Sequence, residues 1–206
     1  MLVGFLGGTF DPVHLGHTHV ATSVLQHTSI EQVRLVLAAR PGHRQAPQAS
    51  VEDRWNMLRL ACNHPQLIPD DIELQRSGPS YTVDTLLHIR RMRPDWIPCW
   101  ILGWDAFALL HLWHRWEHVM GLCNLVVVER PGEAQALPEP VANLCQIHEK
   151  NMLSATGTGQ IQRLNVPMRD VSATQVRARI QRQQPCEDLL EHSVNDYIIE
   201  HGLYEN

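Results

Sequence analysis

The stretch that most constrains this chain is Gly7-Gly8-Thr9-Phe10-Asp11-Pro12-Val13-His14-Leu15-Gly16-His17. Residues 1–6 before it are a short apolar run suited to a buried strand, and residues 18–27 after it mix apolar and polar positions at helical spacing. The stretch therefore sits where a strand gives way to a helix. In an open parallel sheet, ligands bind at the carboxyl ends of strands. Gly7 and Gly8 carry no Cβ, so a ligand can approach the backbone. Pro12 suits a turn or a first helical turn. A helix opening near Val13 puts His14 and His17 one turn apart on one face. Its free N–H groups and positive dipole end favour phosphate there, with the imidazoles as further donors.

The run is not a dinucleotide fingerprint, because no third glycine follows in G-x-G-x-x-G spacing, and no Gly-Lys-Ser/Thr of a Walker loop is present. Two plainer readings stand beside the phosphate site. With 13 histidines in the chain, these two could be ordinary surface residues, or an i, i+3 pair sharing a metal ion. The complete run resembles the H-x-G-H signature of the nucleotidyltransferase superfamily, and in its fuller form that of bacterial nicotinate-nucleotide adenylyltransferases.

Length and composition bound the answer. A chain of 206 residues fits a single domain, here with a C-terminal helical part from about residue 170 packed on it, and 44% hydrophobic residues suffice for a sizeable core. A formal charge of −5 argues against a general nucleic-acid binder. No apolar run is long enough to span a membrane, and the N-terminus lacks the pattern of a secretory signal. The cysteines, Cys62, Cys99, Cys123, Cys145 and Cys186, are odd in number and widely spread, which fits reduced thiols in a cytoplasm. The Cys145–His148 spacing lacks a second ligand pair nearby, so no metal site is expected.

In chain order, residues 33–38 read as a second buried strand, completing a right-handed parallel βαβ unit with the first. The Pro- and Gly-rich loop 39–47 leaves that strand beside the first loop, where His43 and Arg44 can reach a phosphate or simply face solvent. Ser50 caps a helix to about Cys62, with Trp55, Leu58 and Cys62 on its inner face. Residues 67–75 read as a strand interrupted by Pro69. Ser80 or Thr82 can cap a helix reaching about Arg93. Residues 98–102 form a core strand ending in Gly103-Trp104-Asp105, where Asp105 can accept from a ribose hydroxyl or cap the next helix. Trp113 and Trp116, three apart, fit a helix face in the core. Residues 124–128 are another strand, 133–159 are polar with room for a short helix, and a last helix runs from Leu189 toward Gly202.

The second signal is Asp170-Val171-Ser172-Ala173-Thr174-Gln175-Val176-Arg177. Ser172 is a good N-cap, Val176 and Ile180 face the core, and Arg177 can reach back as a bidentate phosphate donor. Taken alone, it reads better as an amphipathic helix with an exposed arginine. It resembles the Ile-Ser-x-Thr-x-Ile-Arg motif of nucleotidyltransferases.

The resemblance implies an α/β fold, a doubly wound parallel sheet of Rossmann-like nucleotidyltransferase type. It implies transfer of AMP from ATP to nicotinate mononucleotide, giving nicotinate adenine dinucleotide and pyrophosphate in NAD biosynthesis. By the same resemblance His14, His17 and Arg177 are catalytic. Gly7, Gly8, Thr9, Phe10, Gly103, Asp105, Arg130, Ser172 and Thr174 bind ATP. His43, Arg44, Tyr81, Thr82, Trp113 and His114 bind the mononucleotide, with Trp113 stacked on the pyridine ring. Mg²⁺ would arrive with ATP, and the enzyme would be a monomer or homodimer. A sister activity on another acceptor (nicotinamide mononucleotide or phosphopantetheine) and a catalytically idle nucleotide sensor remain as alternatives.

Overall fold

In the computed structural model, residues 1–40, 46–129, 136–167 and 169–205 are described. Six strands form one parallel sheet: β1 (Leu2–Gly8), β2 (Gln32–Leu37), β3 (Leu67–Asp70), β4 (Ile97–Gly103), β5 (Asn124–Glu129) and β6 (Ile161–Asn165). Their order is β3-β2-β1-β4-β5-β6, the doubly wound arrangement whose chain direction reverses between β1 and β4. Such a reversal opens a crevice at the carboxyl ends of those two strands.

Alternation along β1 explains why both faces are covered. Leu2 and Leu6 point into one apolar layer, with Ala21 and Val24 of α1 (Leu15–His27), Met57 and Leu58 of α2 (Val51–Ala61), Val176 of α7 (Ala173–Gln181), and Val194 and Ile198 of α8 (His192–Glu200). Val3 and Phe5 point into the other, with Leu86 and Ile89 of α3 (Thr82–Met92), Phe107 of α4 (Trp104–Ala108), Val119 of α5 (Val119–Leu122) and Val141 of α6 (Glu139–His148). A strand buried on both faces must read as a continuous apolar run, which is what residues 1–6 do.

Several local expectations are corrected. Helix α1 opens at Leu15 with His14 as its N-cap, not near Val13. The inner face of α2 is as expected, with Leu58 buried and Trp55 and Cys62 half-buried against the core, and it also carries Arg54, Met57 and Ala61. Strand β3 stops at Asp70; its Pro69 is tolerated because β3 is an edge strand, pairing with β2 alone. Helix α3 begins with Tyr81 as N-cap and no side-chain cap, so neither Ser80 nor Thr82 plays that role. Trp113 and Trp116 do not share a helix: they flank a break between two single 3₁₀ turns, where Arg115 takes φ 51°. The last helix is shorter than expected, His192–Glu200. Strand β6 was not anticipated; its exposed Arg163 and Asn165 alternate with buried neighbours at the sheet edge.

The C-terminal segment packs on α2, with Tyr197 Oη donating to Asp53 Oδ1 at 3.0 Å and Asn56 Nδ2 donating to Tyr197 Oη at 3.1 Å. All five cysteines are free. Among the described residues no helix is long and apolar enough to cross a membrane.

Candidate active site

A cleft of about 900 Å³ opens over the carboxyl ends of β1 and β4. It brings together Gly7, Gly8, Thr9, Phe10, His14 and His17 from the first loop, Gly103 from the end of β4, and Ser172, Thr174 and Arg177 from the start of α7. Tyr81, Thr82, Trp113 and His114 line the same cleft. Residues from both ends of the sequence thus meet in one place. His43, Arg44 and Arg130 lie outside the described residues. Asp105 is exposed in the first turn of α4 and does not line the cleft; the helix is capped at Gly103, so Asp105 is not its cap either.

Gly7 and Gly8, at the end of β1, line the cleft and also serve packing. A Cβ on Gly7 would come within 2.8 Å of the Trp100 ring, and one on Gly8 within 2.8 Å of Phe10. Phe10 itself is a core residue, 2% exposed at φ 48°, with its ring edge-on to His17 at 4.9 Å. Any contact of Phe10 with a nucleotide is therefore through its backbone.

His14 and His17 lie ring against ring, with centroids 3.8 Å apart. The His14 N–H donates to His17 Nδ1 at 3.2 Å. That bond makes Nδ1 the acceptor and leaves Nε2–H as the donor of a neutral His17. The Leu15 N–H is taken by the Leu189 carbonyl at 2.9 Å, and the His17 N–H by the His14 carbonyl at 2.9 Å. The start of α1 was expected to offer its free N–H groups, but these three are already bonded within the protein. The imidazoles become the principal donors of this loop. Burial pulls His14 down to about pKa 4, and burial with its neighbour His14 pulls His17 well below 6.5. Both rings are therefore neutral near pH 7, and two adjacent donors coexist without repulsion. His14 Nδ1 is buried with no hydrogen-bond partner, facing Gly16. Gly16 makes room for this ring: a Cβ there would meet it at 3.0 Å.

Ser172 caps α7 by accepting from the Gln175 N–H at 3.2 Å. Arg177, one turn in, does not point freely at the cleft. Its Nη1 donates to the Asp11 carbonyl at 2.6 Å and lies 3.9 Å from Asp11 Oδ2, with Nη2 at 3.5 Å from Thr174 Oγ1. The guanidinium is thus already oriented by the first loop, with further N–H groups left for a phosphate. At the other motif Tyr81 and His114 stack at 4.4 Å, so His114, though exposed, has an aromatic partner beside the α3 start.

Sequence reasoning missed the residues that hold this arrangement. Asp11 is 8% exposed; its carboxylate accepts from the N–H groups of Gln48 (2.9 Å) and Ala49 (3.1 Å), tying the first loop to the segment after β2. Arg54 is 2% exposed, and its Nη1 donates to the carbonyls of Thr9 and Ala38, each at 2.9 Å. It clamps the loops that follow β1 and β2. Burial lowers its pKa while Asp11 and Tyr204 oppose the shift. The available signal was its position four residues before Leu58 on the inner face of α2. Trp104, for which the sequence offered no role, packs on Phe107 and carries the Arg163 guanidinium 5.0 Å from its ring centroid. Among the described residues, no group of three or more His, Cys, Asp or Glu side chains could hold a metal ion.

A model of the cytidylyltransferase-like family matches residues 5–179. A relative from Hydrogenovibrio crunogenus is 39% identical over 206 residues, covering 99% of this chain and 98% of its own length. One from Pectobacterium atrosepticum is 40% identical over 210 residues, covering 99% of each. Both carry the name "Probable nicotinate-nucleotide adenylyltransferase". Among solved structures, Plasmodium falciparum nicotinic acid mononucleotide adenylyltransferase complexed with NaAD superposes with a TM-score of 0.76, over 99% of this chain and 97% of that one. At 18% identity this likeness speaks to the fold. With the glycine-led histidine loop and the Ser172–Arg177 turn facing one cleft of a doubly wound sheet, the chain belongs to the cytidylyltransferase-like family and, within it, to the nicotinate-nucleotide adenylyltransferases.

Proposed function

We propose that this chain transfers AMP from ATP to nicotinate mononucleotide, releasing pyrophosphate and nicotinate adenine dinucleotide. The observation that carries this reading is the convergence on one cleft of His14, His17 and Arg177 with Tyr81, Thr82, Trp113 and His114. The names of the relatives point the same way. The acceptor's phosphate attacks the α-phosphorus of ATP, a new P–O bond forms, and the bond to the β-phosphate oxygen breaks. A phosphate monoester has its second pKa near about 6 and is largely ionised at pH 7, so no general base is needed. Catalysis is then positioning and stabilisation of charge on the transferring and leaving phosphates. Neutral His14 and His17 donate hydrogen bonds, and Arg177, oriented by Asp11, supplies the fixed positive charge. Gly7, Gly8, Thr9, Phe10, Gly103, Ser172 and Thr174 shape the ATP side. Mg²⁺ would come with ATP and supply charge neutralisation of the phosphates, with no cluster of protein ligands needed to hold it.

The acceptor side favours a carboxylate. The Thr82 and Val83 N–H groups open α3 at the positive end of the helix, while the Asp84 N–H is already taken by the Tyr81 carbonyl at 3.1 Å. A carboxylate accepts from them, whereas an amide turned the wrong way leaves donors unpaired at about 1–3 kcal/mol each. The test compares kcat/KM for nicotinate and nicotinamide mononucleotides by pyrophosphate release at saturating MgATP. A preference for the nicotinate form of roughly tens- to a few thousand-fold is expected. Equal values would refute the acceptor assignment, and no pyrophosphate with either would refute the adenylyl transfer.

A further inference from the structure

Past the end of β3 the chain turns and carries Glu73 into the interior, where it is 7% exposed and yet lines the cleft. One carboxylate oxygen, Oε1, accepts from the Thr85 hydroxyl at 2.6 Å. The other, Oε2, is buried with no direct hydrogen-bond partner; burial pushes the Glu73 carboxyl up, and the neighbouring Ser80 and Thr85 hydroxyls and the Arg76 charge oppose the rise. Thr85 is fully buried one turn inside α3, four residues past the cap Tyr81. Arg76 Nη1 donates to the same hydroxyl oxygen at 3.0 Å. A buried carboxylate is costly unless paired. Here the Thr85 hydroxyl does the pairing directly and the Arg76 guanidinium through it, as a carboxyl, hydroxyl, guanidinium relay. Thr85 Oγ1 also lies 3.2 Å from the Tyr81 carbonyl, but a hydroxyl has one proton, and the shorter, charge-assisted bond to Glu73 takes it.

Between the ends of this fastening the chain is held at Arg76, whose carbonyl accepts from Arg40 Nη1 at 3.0 Å, and is otherwise largely exposed. Gln75, Ser77, Gly78 and Pro79 are exposed, and Gly78 sits at φ 90°. Segments with little buried surface open easily. At the far end, Ser80 exchanges bonds with the backbone of Arg40, its N–H reaching the Arg40 carbonyl at 3.0 Å and its Oγ receiving the Arg40 N–H at 3.2 Å. Tyr81 and Thr82 follow directly. The position of the α3 start is thus set from one side by Arg40 and from the other by Glu73 through Thr85.

We infer that Glu73 is a positioning residue for the acceptor: by holding the Thr85 hydroxyl it fixes the Tyr81–Thr82 start of α3, and so sets acceptor affinity and the choice of carboxylate over amide. The inference rests on the reading that this part of the cleft takes the nicotinate group. It assigns Glu73 no part in binding ATP, whose proposed contacts come from the first loop, the end of β4 and α7.

The experiment measures KM for nicotinate mononucleotide at saturating MgATP, KM for ATP at saturating acceptor, and kcat/KM for the nicotinamide form. It uses the parent, Glu73→Ala, Glu73→Gln, Thr85→Val and the double variant Glu73→Ala/Thr85→Val. Glu73→Ala is expected to raise the acceptor KM by about tenfold or more, the scale of one lost charge-assisted hydrogen bond, with KM for ATP within about twofold. The nicotinate preference should narrow in parallel. Glu73→Gln keeps an oxygen for Thr85 and should recover part of the loss. Thr85→Val should reproduce Glu73→Ala, and the double variant should be no worse than either, because both remove one interaction. If Glu73→Ala does not fold, Thr85→Val against the parent and Glu73→Gln carries the same comparison. An unchanged acceptor KM, an equal rise in both KM values, or multiplying effects in the double variant would overturn the inference. A parent that ignores nicotinate mononucleotide would overturn the acceptor reading itself, whereas a parent that uses it, with variants that match, overturns only the role of Glu73.

Discussion

The Tyr204 hydroxyl donates a 2.8 Å hydrogen bond to Oδ1 of Asp11, joining residues 193 positions apart, both buried. Asp11 also holds Gln48 and Ala49 by their N–H groups and offers its carbonyl to Arg177. The last turn of the chain is therefore fastened to the loop that carries His14 and His17. Burial, and then the neighbouring Asp11, raises the Tyr204 pKa, so its phenol stays a donor at neutral pH.

Replacing Tyr204 by Phe removes this donor and keeps the ring. A hydrogen bond to a charged group contributes about 1.5–3 kcal/mol. For a chain of this size the melting temperature should fall by roughly 3–12 °C. Turnover should fall as well, because the loop that orients Arg177 loses a support. Thermal unfolding and steady-state kinetics on the same preparation check both. A variant with parental melting temperature and kcat would show that the contact supports nothing.

His17→Ala tests the donor proposed at the start of α1. Loss of one positioned donor to developing charge costs about 2.7–4 kcal/mol, on the order of a hundred- to a thousand-fold in kcat. The variant should stay folded, since what it gives up is the His14 N–H bond and the ring contacts with His14 and Phe10. Circular dichroism with pyrophosphate release reads both properties. Near-parental kcat in a folded variant would remove His17 from the chemistry.

His14 carries a prediction about stability and pH. Its pKa is near 4 in the folded chain, against 6.5 when exposed. Between those values the unfolded chain binds more protons, so the contribution is fully present above pH 6.5 and is lost as pH falls toward 4. At about 1.4 kcal/mol per pKa unit the whole contribution is about 3 kcal/mol. Urea unfolding of the parent at pH 7 and pH 5 should show a loss about 2 kcal/mol larger than in His14→Gln. Equal losses in the two proteins would mean that His14 titrates normally in the folded chain.

Much of the frame was legible because its signals are local. The apolar run at residues 1–6, the glycine-led loop and the capped turn at Ser172 each depend on neighbours a few positions away. Periodicity and capping chemistry act at that range. Strand β6 escaped because Ile161–Asn165 is short, at the sheet edge, and carries polar residues at three of five positions. Tyr81 escaped as a cap because it contributes no side-chain bond to the helix it begins.

The sequence by itself determined most strand runs, the helix starts and the two motifs, which are written in adjacent positions, and through them the resemblance that implied the doubly wound architecture and the residues around the cleft. Only the tertiary structure decided how those residues are held. Arg54 bonds carbonyls of two separate loops, Asp11 meets Tyr204 from the far end of the chain, and Glu73 reaches Thr85 across an exposed turn. Each is a charged side chain whose burial is offset by partners distant in sequence, and a buried charge is recognisable only once those partners are in place. The same holds for His14 and His17. Their spacing is plain in the sequence, but their neutrality comes from the desolvation that packing imposes.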